Sequence, residues 1–271
     1  MKRYFQIHIA TKSSEEAECL IAELSSINFY AFEQENNLLN AYITEIDFDE
    51  QKLKGILPVD LAFSKKIIEE ENWNEQWEKT IEPIIVNDFV AIRPSFSKPI
   101  NKVKFDLIIT PKMSFGTGHH ATTFVMVEIM ESIDFQNKSV IDFGTGTGVL
   151  AILAEKCGAS KVTAIDYDDW SIQNARENIE VNDCRNIEIR QQSNLSGNDP
   201  VDIVLANINL NVLQNNSAHL KSLIKTGGFL LLSGFLVSDE AQMISIFQEK
   251  NLVKIKSRQR GDWLAILINN V

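Results

Sequence analysis

The run Asp142-Phe143-Gly144-Thr145-Gly146-Thr147-Gly148 sets an acid ahead of three alternate glycines. It lies between an apolar segment that reads as a strand, Ser139–Phe143, and one that reads as a helix, Val149–Lys156, ended by Gly158. Glycines permit φ > 0 and let backbone approach a ligand, and the helix N-terminus beyond them offers unpaired N–H donors to a carboxylate. A turn of this kind at the end of a strand is where open α/β sheets bind ligands. Dinucleotide sites space their glycines G-x-G-x-x-G; the spacing here is G-x-G-x-G behind an acid, which favours the methionyl carboxylate of S-adenosylmethionine over a nicotinamide pyrophosphate. Asp142 can take the accompanying ammonium directly or through water.

Roughly 20 residues beyond the first glycine, Asp166 ends a second apolar run, at the spacing where an acid accepts both hydroxyls of a ribose. Its competing role is a cap for the next helix, which Asp168 or Asp169 can fill equally well. Asn207 closes a later strand within Leu205-Ala206-Asn207-Ile208-Asn209. Its amide oxygen and the following carbonyl can accept N–H bonds from an incoming amine and aim the nitrogen lone pair; the alternative is a plain turn residue. Asparagine is no base, so what it offers is orientation of an already neutral nucleophile. Phe115 and Ile208 are candidates for apolar walls that disfavour an ammonium there. A second small-residue loop, from Ser114 to Thr123, precedes a helix through Met126, Ile129 and Met130. Its adjacent His119 and His120 lack an H-E-x-x-H pattern or a carboxylate cluster, and His8 and His219 are distant, so no metal site is expected.

These residues need a scaffold, and strand-like and helical runs alternate from Ser139 onward. After Lys161–Asp166 come a helix over 170–181, strands Ile187–Gln191 and Val201–Asn207, a helix over 211–224 closed by Thr226-Gly227-Gly228, and a strand over 229–233. The rhythm predicts an α/β fold with a largely parallel sheet covered on both faces. A helix over 239–250 and strands over 252–256 and 263–268 then add a terminal antiparallel hairpin. Upstream, residues 84–86 and 89–92, split by Asn87-Asp88, suggest a hairpin opening this domain, taken as residues 81–271. Residues 1–58 read as a small ferredoxin-like α+β domain. Its parts are a strand over 4–9, a helix begun at Ser13 with Glu16 in the capping-box position, strands over 28–34 and 38–45 around Asn36-Asn37, and a short helix after Asp47 that ends before Pro58. Residues 59–80 read as a linker with a helix that carries Trp73 and Trp77 on one face.

At 271 residues the chain has room for one large domain and a small one. The start lacks the apolar core of a signal peptide and no run reaches the ~18 apolar residues of a membrane helix, so a cytoplasmic protein is expected. Cys19, Cys157 and Cys184 form no C-x-x-C pair, which argues against zinc or a disulfide framework. A formal net charge of −11 opposes direct binding to nucleic acid and suits a basic protein as partner.

Over nearly its whole length the chain resembles the bacterial ribosomal protein L11 methyltransferases, the PrmA family. The most specific part is Phe115-Gly116-Thr117-Gly118 leading to His120 and Thr122-Thr123, similar to the family's F-G-T-G-T-H-P-T-T. Val140-Ile141-Asp142-Phe143-Gly144, Ala175-Arg176-Glu177-Asn178, Ala206-Asn207-Ile208, Leu232-Ser233-Gly234 and Gly261-Asp262-Trp263 also fall where the family has similar segments. The resemblance implies a Rossmann-like class I methyltransferase with a seven-stranded sheet. It implies S-adenosylmethionine as donor, bound by Thr123, Gly144, Gly146, Asp166 and Asn207. It further implies N-methylation of lysine side chains and the N-terminal amine of ribosomal protein L11, gripped by the small domain. Against the family pattern, His119 stands for threonine, Ala121 for proline, Thr110-Pro111-Lys112 for Asp-Pro-Gly and Asn209-Leu210 for Leu-Ala. A different protein or small-molecule acceptor, a nicotinamide oxidoreductase and a non-catalytic donor-binding module are the rival readings.

Overall fold

Two units, Met1–Thr80 and Ile81–Val271, make up the chain in the computed structural model, which describes residues 3–35, 38–58, 61, 63–69, 82–110, 114–247 and 251–271. The first unit runs β1 (Arg3–Ala10), α1 (Ser14–Ser25), β2 (Ala31–Glu35), β3 (Leu38–Thr44), α2 (Glu50–Ile56) and β4 (Phe63–Glu69). The sheet order is β2-β3-β1-β4, antiparallel throughout. Phe5, Ile7 and Ile9 alternate along β1 and pack with Leu20 and Leu24 of α1 in a small core. The Ser13 hydroxyl caps α1 by accepting the Glu16 N–H at 3.2 Å. The Glu16 carboxylate accepts from Lys12 N at 2.5 Å, one residue ahead of the capping-box partner. Residues 63–69, assigned above to the linker, instead form β4 and pair with β1. Ser64, Lys65, Lys66 and Ile67 are all exposed on this edge strand, so it lacks the alternation that marks a half-buried one. The proposed Trp73/Trp77 helix and the Asn36-Asn37 turn lie outside the described residues.

The second unit opens with β5 (Ile84–Val86), β6 (Val90–Arg93) and β7 (Phe105–Ile108), a three-stranded sheet. Asn87, at φ 51°, turns the expected hairpin. Then follow α3 (Ala121–Met130), β8 (Ser139–Phe143), α4 (Val149–Lys156), β9 (Lys161–Asp166), α5 (Asp169–Val181), β10 (Ile187–Gln191), β11 (Val201–Asn207), α6 (Leu210–Ser222), β12 (Ile224–Leu236), α7 (Glu240–Phe247), β13 (Leu252–Arg260) and β14 (Trp263–Asn270). The seven-stranded sheet has the order β10-β9-β8-β11-β12-β14-β13, parallel from β10 to β12 and antiparallel beyond.

Alternate residues of the central strands β8 and β11 enter different cores. Val140, Ile203 and Leu205 join Val125, Met126 and Leu150 on one face. Ile141, Val204 and Ala206 join Leu213, Leu220, Met243 and Phe247 on the other. Burial on both faces is why these strands read as continuous apolar runs. Two strands are longer than their sequence pattern: β12 spans Ile224–Leu236 with register shifts before Ile203 of its partner and again between Ser233 and Phe235, and β13 reaches Arg260 along an edge. Among the described residues no helix is long and apolar enough to cross a membrane.

Candidate functional site

The connections run outward from β8 to β9 and β10, then return to β11 on the other side of β8. That reversal leaves a crevice beyond the carboxyl ends of β8 and β11, the position at which such sheets take ligands. Gly144, Gly146 and Gly148 occupy it with φ of 76°, 55° and 82°. A Cβ on Gly144 would lie 2.2 Å from Ile208 Cγ2, and one on Gly146 2.2 Å from the Phe115 carbonyl oxygen. The first glycine thus admits the turn after β11, and the second admits the other small-residue loop. Thr147 stitches the two loops together: its N–H donates to Phe115 O at 2.9 Å and its hydroxyl to Gly116 O at 2.7 Å.

A cavity of about 540 Å³ opens here, within the size range of small-molecule sites. Gly144, Gly146, Asp166 and Asn207 line it, as do Phe115 and Ile208. Asp166 is 8% exposed; its carboxylate accepts from Gly146 N at 2.9 Å and Asp168 N at 3.1 Å. The helix cap is Asp168, whose side chain accepts from Ser171 N at 2.8 Å. Asp166 is therefore free of that task and tied instead to the glycine loop, with lone pairs left for a ligand. Asn207 donates from Nδ2 to Thr123 Oγ1 at 3.3 Å, while its Oδ1 is buried without a partner. An unpaired buried acceptor costs about 1–3 kcal/mol, which a ligand N–H removes. Thr123 is fully buried and is not one of the residues lining the cavity; its hydroxyl reaches the site through Asn207, and Thr122 lines the wall.

Asp142 lies just behind this surface, 1% exposed and also outside the lining. Its Oδ2 accepts from the Thr145 hydroxyl at 2.6 Å, and its Oδ1 has no partner. Burial pushes its carboxyl up to about 7, with the nearby Asp166 charge adding to the effect against the Thr145 hydrogen bond.

Other contacts at the site escape a reading of motifs. The Asn178 side chain donates to Thr147 O at 2.8 Å and accepts from Thr110 N at 2.9 Å, which ties the glycine loop to the segment after β7. Asn182 holds the N–H and C=O of Ile108 in the same manner. Gln192, directly after β10, lines the cavity with its Oε1 buried and unpaired. Its place at a strand's carboxyl end was the one signal available. His120 caps α3 and its ring sits between Phe115 and Trp263, with centroids 5.0 Å and 4.7 Å away. His119 bonds Glu82 O and Thr117 instead, and among the described residues no three His, Cys, Asp or Glu side chains gather as a metal site.

These features fit S-adenosylmethionine on structural grounds: a cradle that a Cβ would fill, a carboxylate aimed across the glycine loop, and an orphaned amide oxygen on a residue that lines the same cavity. The family model described as ribosomal protein L11 methyltransferase (PrmA) matches residues 4–270. A protein of that name from Porphyromonas gingivalis is 40% identical over 258 residues, covering 92% of this chain and 89% of its own. One from Phocaeicola vulgatus is 34% identical over 275 residues, covering 97% and 98%. The crystal structure of a ribosomal protein L11 methylase from Lactobacillus delbrueckii subsp. bulgaricus superposes with a TM-score of 0.65 at 27% identity, covering 70% of this chain and 99% of that one.

Proposed function

The chain belongs to the ribosomal protein L11 methyltransferase (PrmA) family, and from that premise we propose that it methylates the lysine side chains and N-terminal amine of ribosomal protein L11 in the cytoplasm. The methyl donor is S-adenosylmethionine, whose sulfonium supplies an activated methyl group. Gly144 and Gly146 would hold its methionyl end, Asp166 its ribose, and Asn207 the side nearest the reacting centre, with Thr123 fixing the Asn207 amide. The observation that carries this reading is the buried, unpaired Oδ1 of Asn207, a residue that lines the cavity beside the glycine loop.

The chain's own work is positional. Asn207 Oδ1 accepts an N–H of the incoming amine and aims the nitrogen lone pair along the line of attack, a near-attack arrangement that needs no covalent intermediate. The amine must first be neutral. At pH 7 that costs a lysine about 4–5 kcal/mol and an α-amine about 1 kcal/mol. Phe115 and Ile208 reduce the cost, since apolar walls disfavour the ammonium. The small N-terminal unit would grip the protein substrate, which we take to be free rather than assembled with RNA, because a net charge of −11 opposes nucleic acid. Incubating purified ribosomal protein L11 with the enzyme and S-adenosylmethionine, then mapping peptides by mass spectrometry, tests the assignment. Added methylene masses on lysines and the N-terminus support it; label on another protein of a cell extract but never on ribosomal protein L11 overturns it.

A further inference from the structure

We propose that a second cavity, at the amino ends of the parallel strands, binds a small oxyanion of the phosphate class and, through the β10–β11 connection, tightens the grip on S-adenosylmethionine. The crossovers from β8 to β9, β9 to β10 and β11 to β12 carry the helices α4, α5 and α6. The crossover from β10 to β11, residues 192–200, carries none. On the sheet face that α6 and α7 cover elsewhere, Leu195 is the only buried residue of this connection, packed with Ile141 and Ile165. A helix would lay a whole apolar stripe on the sheet here. A single leucine leaves room beside it, and a polar cavity of about 210 Å³ opens where β8, β9 and β11 begin.

Register puts the polar side chains together. Ser139 pairs with Lys161, Ile141 with Thr163, and Arg190 with Ile165, so Lys161, Thr163 and Arg190 share one face of the sheet. Lys225 joins them from the start of β12, and Asp199 from the connection. The lining thus sets three cations against one carboxylate, in a chain whose net charge is −11. Two of the cations are partly engaged. Arg190 donates to Glu188 at 2.8 and 2.9 Å and to Asn198 Oδ1 at 2.9 Å; Lys225 donates to Asp202 at 3.3 Å and to Ser139 Oγ at 3.2 Å. Each keeps at least one N–H to spare, and Lys161 enters no ion pair among the described residues. An oxyanion accepts from all three cations and from the Thr163 hydroxyl, and needs no hydrogen of its own. The volume suits one tetrahedral anion and falls short of the roughly 300 Å³ or more of sites for larger small molecules. Because Glu188 and Asp202 offset two of the charges, the expected affinity is modest.

One connection reaches both cavities. Gln192 and Ser193 line the donor cavity, Asn198 and Asp199 line the second, and Leu195 anchors the stretch between them. Asn198 ties the parts together: its Oδ1 accepts from Arg190, and its Nδ2 donates to Leu195 O at 3.0 Å. An oxyanion bridging Lys161 and Arg190 fixes the guanidinium that holds Asn198. It thereby steadies the backbone that carries Gln192, whose Oε1 is buried and unpaired. Donor then meets a connection already in place, which favours binding. Coupling of this sign is reciprocal, so donor tightens the oxyanion by the same factor.

Calorimetry with inorganic phosphate and with S-adenosylmethionine tests both parts, with sodium chloride matching the ionic strength in every control. Phosphate is expected to bind wild type at millimolar concentration. Lys161→Met should bind it about tenfold more weakly, having lost a charge-assisted hydrogen bond, and Asp199→Asn about threefold more tightly, having lost a like charge. Both residues are exposed, so both variants should fold and bind donor as wild type does in phosphate-free buffer. Saturating phosphate should tighten S-adenosylmethionine about fivefold in wild type, and the same concentration should do far less in Lys161→Met. Phosphoserine amide in the same titration separates a free anion from a phosphate carried on a protein: weaker binding than phosphate supports the free anion, and tighter binding overturns that choice. No phosphate binding, or equal binding by wild type and Lys161→Met, overturns the site. Donor affinity that is unchanged by phosphate, or weakened by it as competition in the donor cavity would do, overturns the link.

Discussion

Alanine at Gly144 should cost far more than alanine at Gly197, although both residues have φ of 76°. At Gly197 an added Cβ meets nothing within 4 Å, so only backbone strain applies, about 1–2 kcal/mol for an L-residue in the left-handed region. At Gly144 the Cβ would lie 2.2 Å from Ile208 Cγ2. Ile208 cannot retreat freely, because an added Cβ on Gly234 would lie 2.1 Å from the Ile208 carbonyl oxygen, which shows how closely the far side is packed. Overpacking of this kind adds about 1–3 kcal/mol. The expected losses are thus about 1–2 kcal/mol for Gly197→Ala and about 2–5 kcal/mol for Gly144→Ala. At about 2–4 °C per kcal/mol, the first lowers Tm by a few degrees and the second by roughly 10 °C. Since Asn207 precedes Ile208, Gly144→Ala should also weaken S-adenosylmethionine at least tenfold by calorimetry, and Gly197→Ala should not. Adding Ile208→Ala to Gly144→Ala should recover part of the loss, as expected when one contact couples two sites. Equal Tm losses for the two single variants, or an additive double variant, would refute the packing argument and leave Gly144 as an ordinary turn residue.

Asp166→Ala should weaken donor binding by about 1–3 kcal/mol while α5 stays capped by Asp168; unchanged affinity in calorimetry would remove Asp166 from the site. The Asp142 carboxyl is raised from 3.8 to about 7, so the unfolded chain ionises first and folding loses about 1.4 kcal/mol per pH unit between those values, with no further loss above them. Asp142→Asn should therefore exceed wild type in stability by about 4 kcal/mol at pH 8 and lose that lead toward pH 4; denaturant melts showing a pH-independent difference would contradict the shift. Methylation should be faster on free ribosomal protein L11 than on assembled subunits at low salt, since the net charge of −11 meets RNA repulsion that is screened within about 10 Å at 0.1 M salt and about 3 Å at 1 M. Equal rates at low salt would show that local lysines such as Lys98, Lys102 and Lys104 outweigh the overall charge.

What could be read without coordinates follows from how local each signal is. Strands β8, β9 and β11 read cleanly because each is a short run rich in apolar residues, bounded by turn or capping residues, and β10 by the alternation of Ile187 and Ile189 with polar residues. Edge strand β4 did not, and β13 was legible only over 252–256, since exposed Ser, Lys and Arg along them carry no core pattern. The length of β12 depends on bulges that only its partners reveal. Asp166, Gly144, Gly146 and Asn207 were legible for a related reason: strand ends followed by glycine, asparagine or aspartate mark the crevice of an α/β sheet. Contacts between distant positions left no such trace. Asn178 with Thr110, and His120 with Trp263, meet only once the sheet is built. The placement of Thr123 behind Asn207 rather than on the cavity wall is of the same kind.

This cavity is proposed to transfer methyl groups to ribosomal protein L11, with Asn207 orienting the amine. One experiment addresses both halves: intact-mass kinetics on purified ribosomal protein L11 with saturating S-adenosylmethionine, comparing wild type with Asn207→Leu, whose donor affinity is measured in parallel. The account predicts stepwise methylene additions by wild type. It predicts a loss of about 100-fold or more in the variant, as for a reactant displaced by about 1 Å, with donor affinity falling far less. Full turnover by a folded Asn207→Leu protein would contradict the orienting role, and no mass gain with wild type would contradict the activity itself.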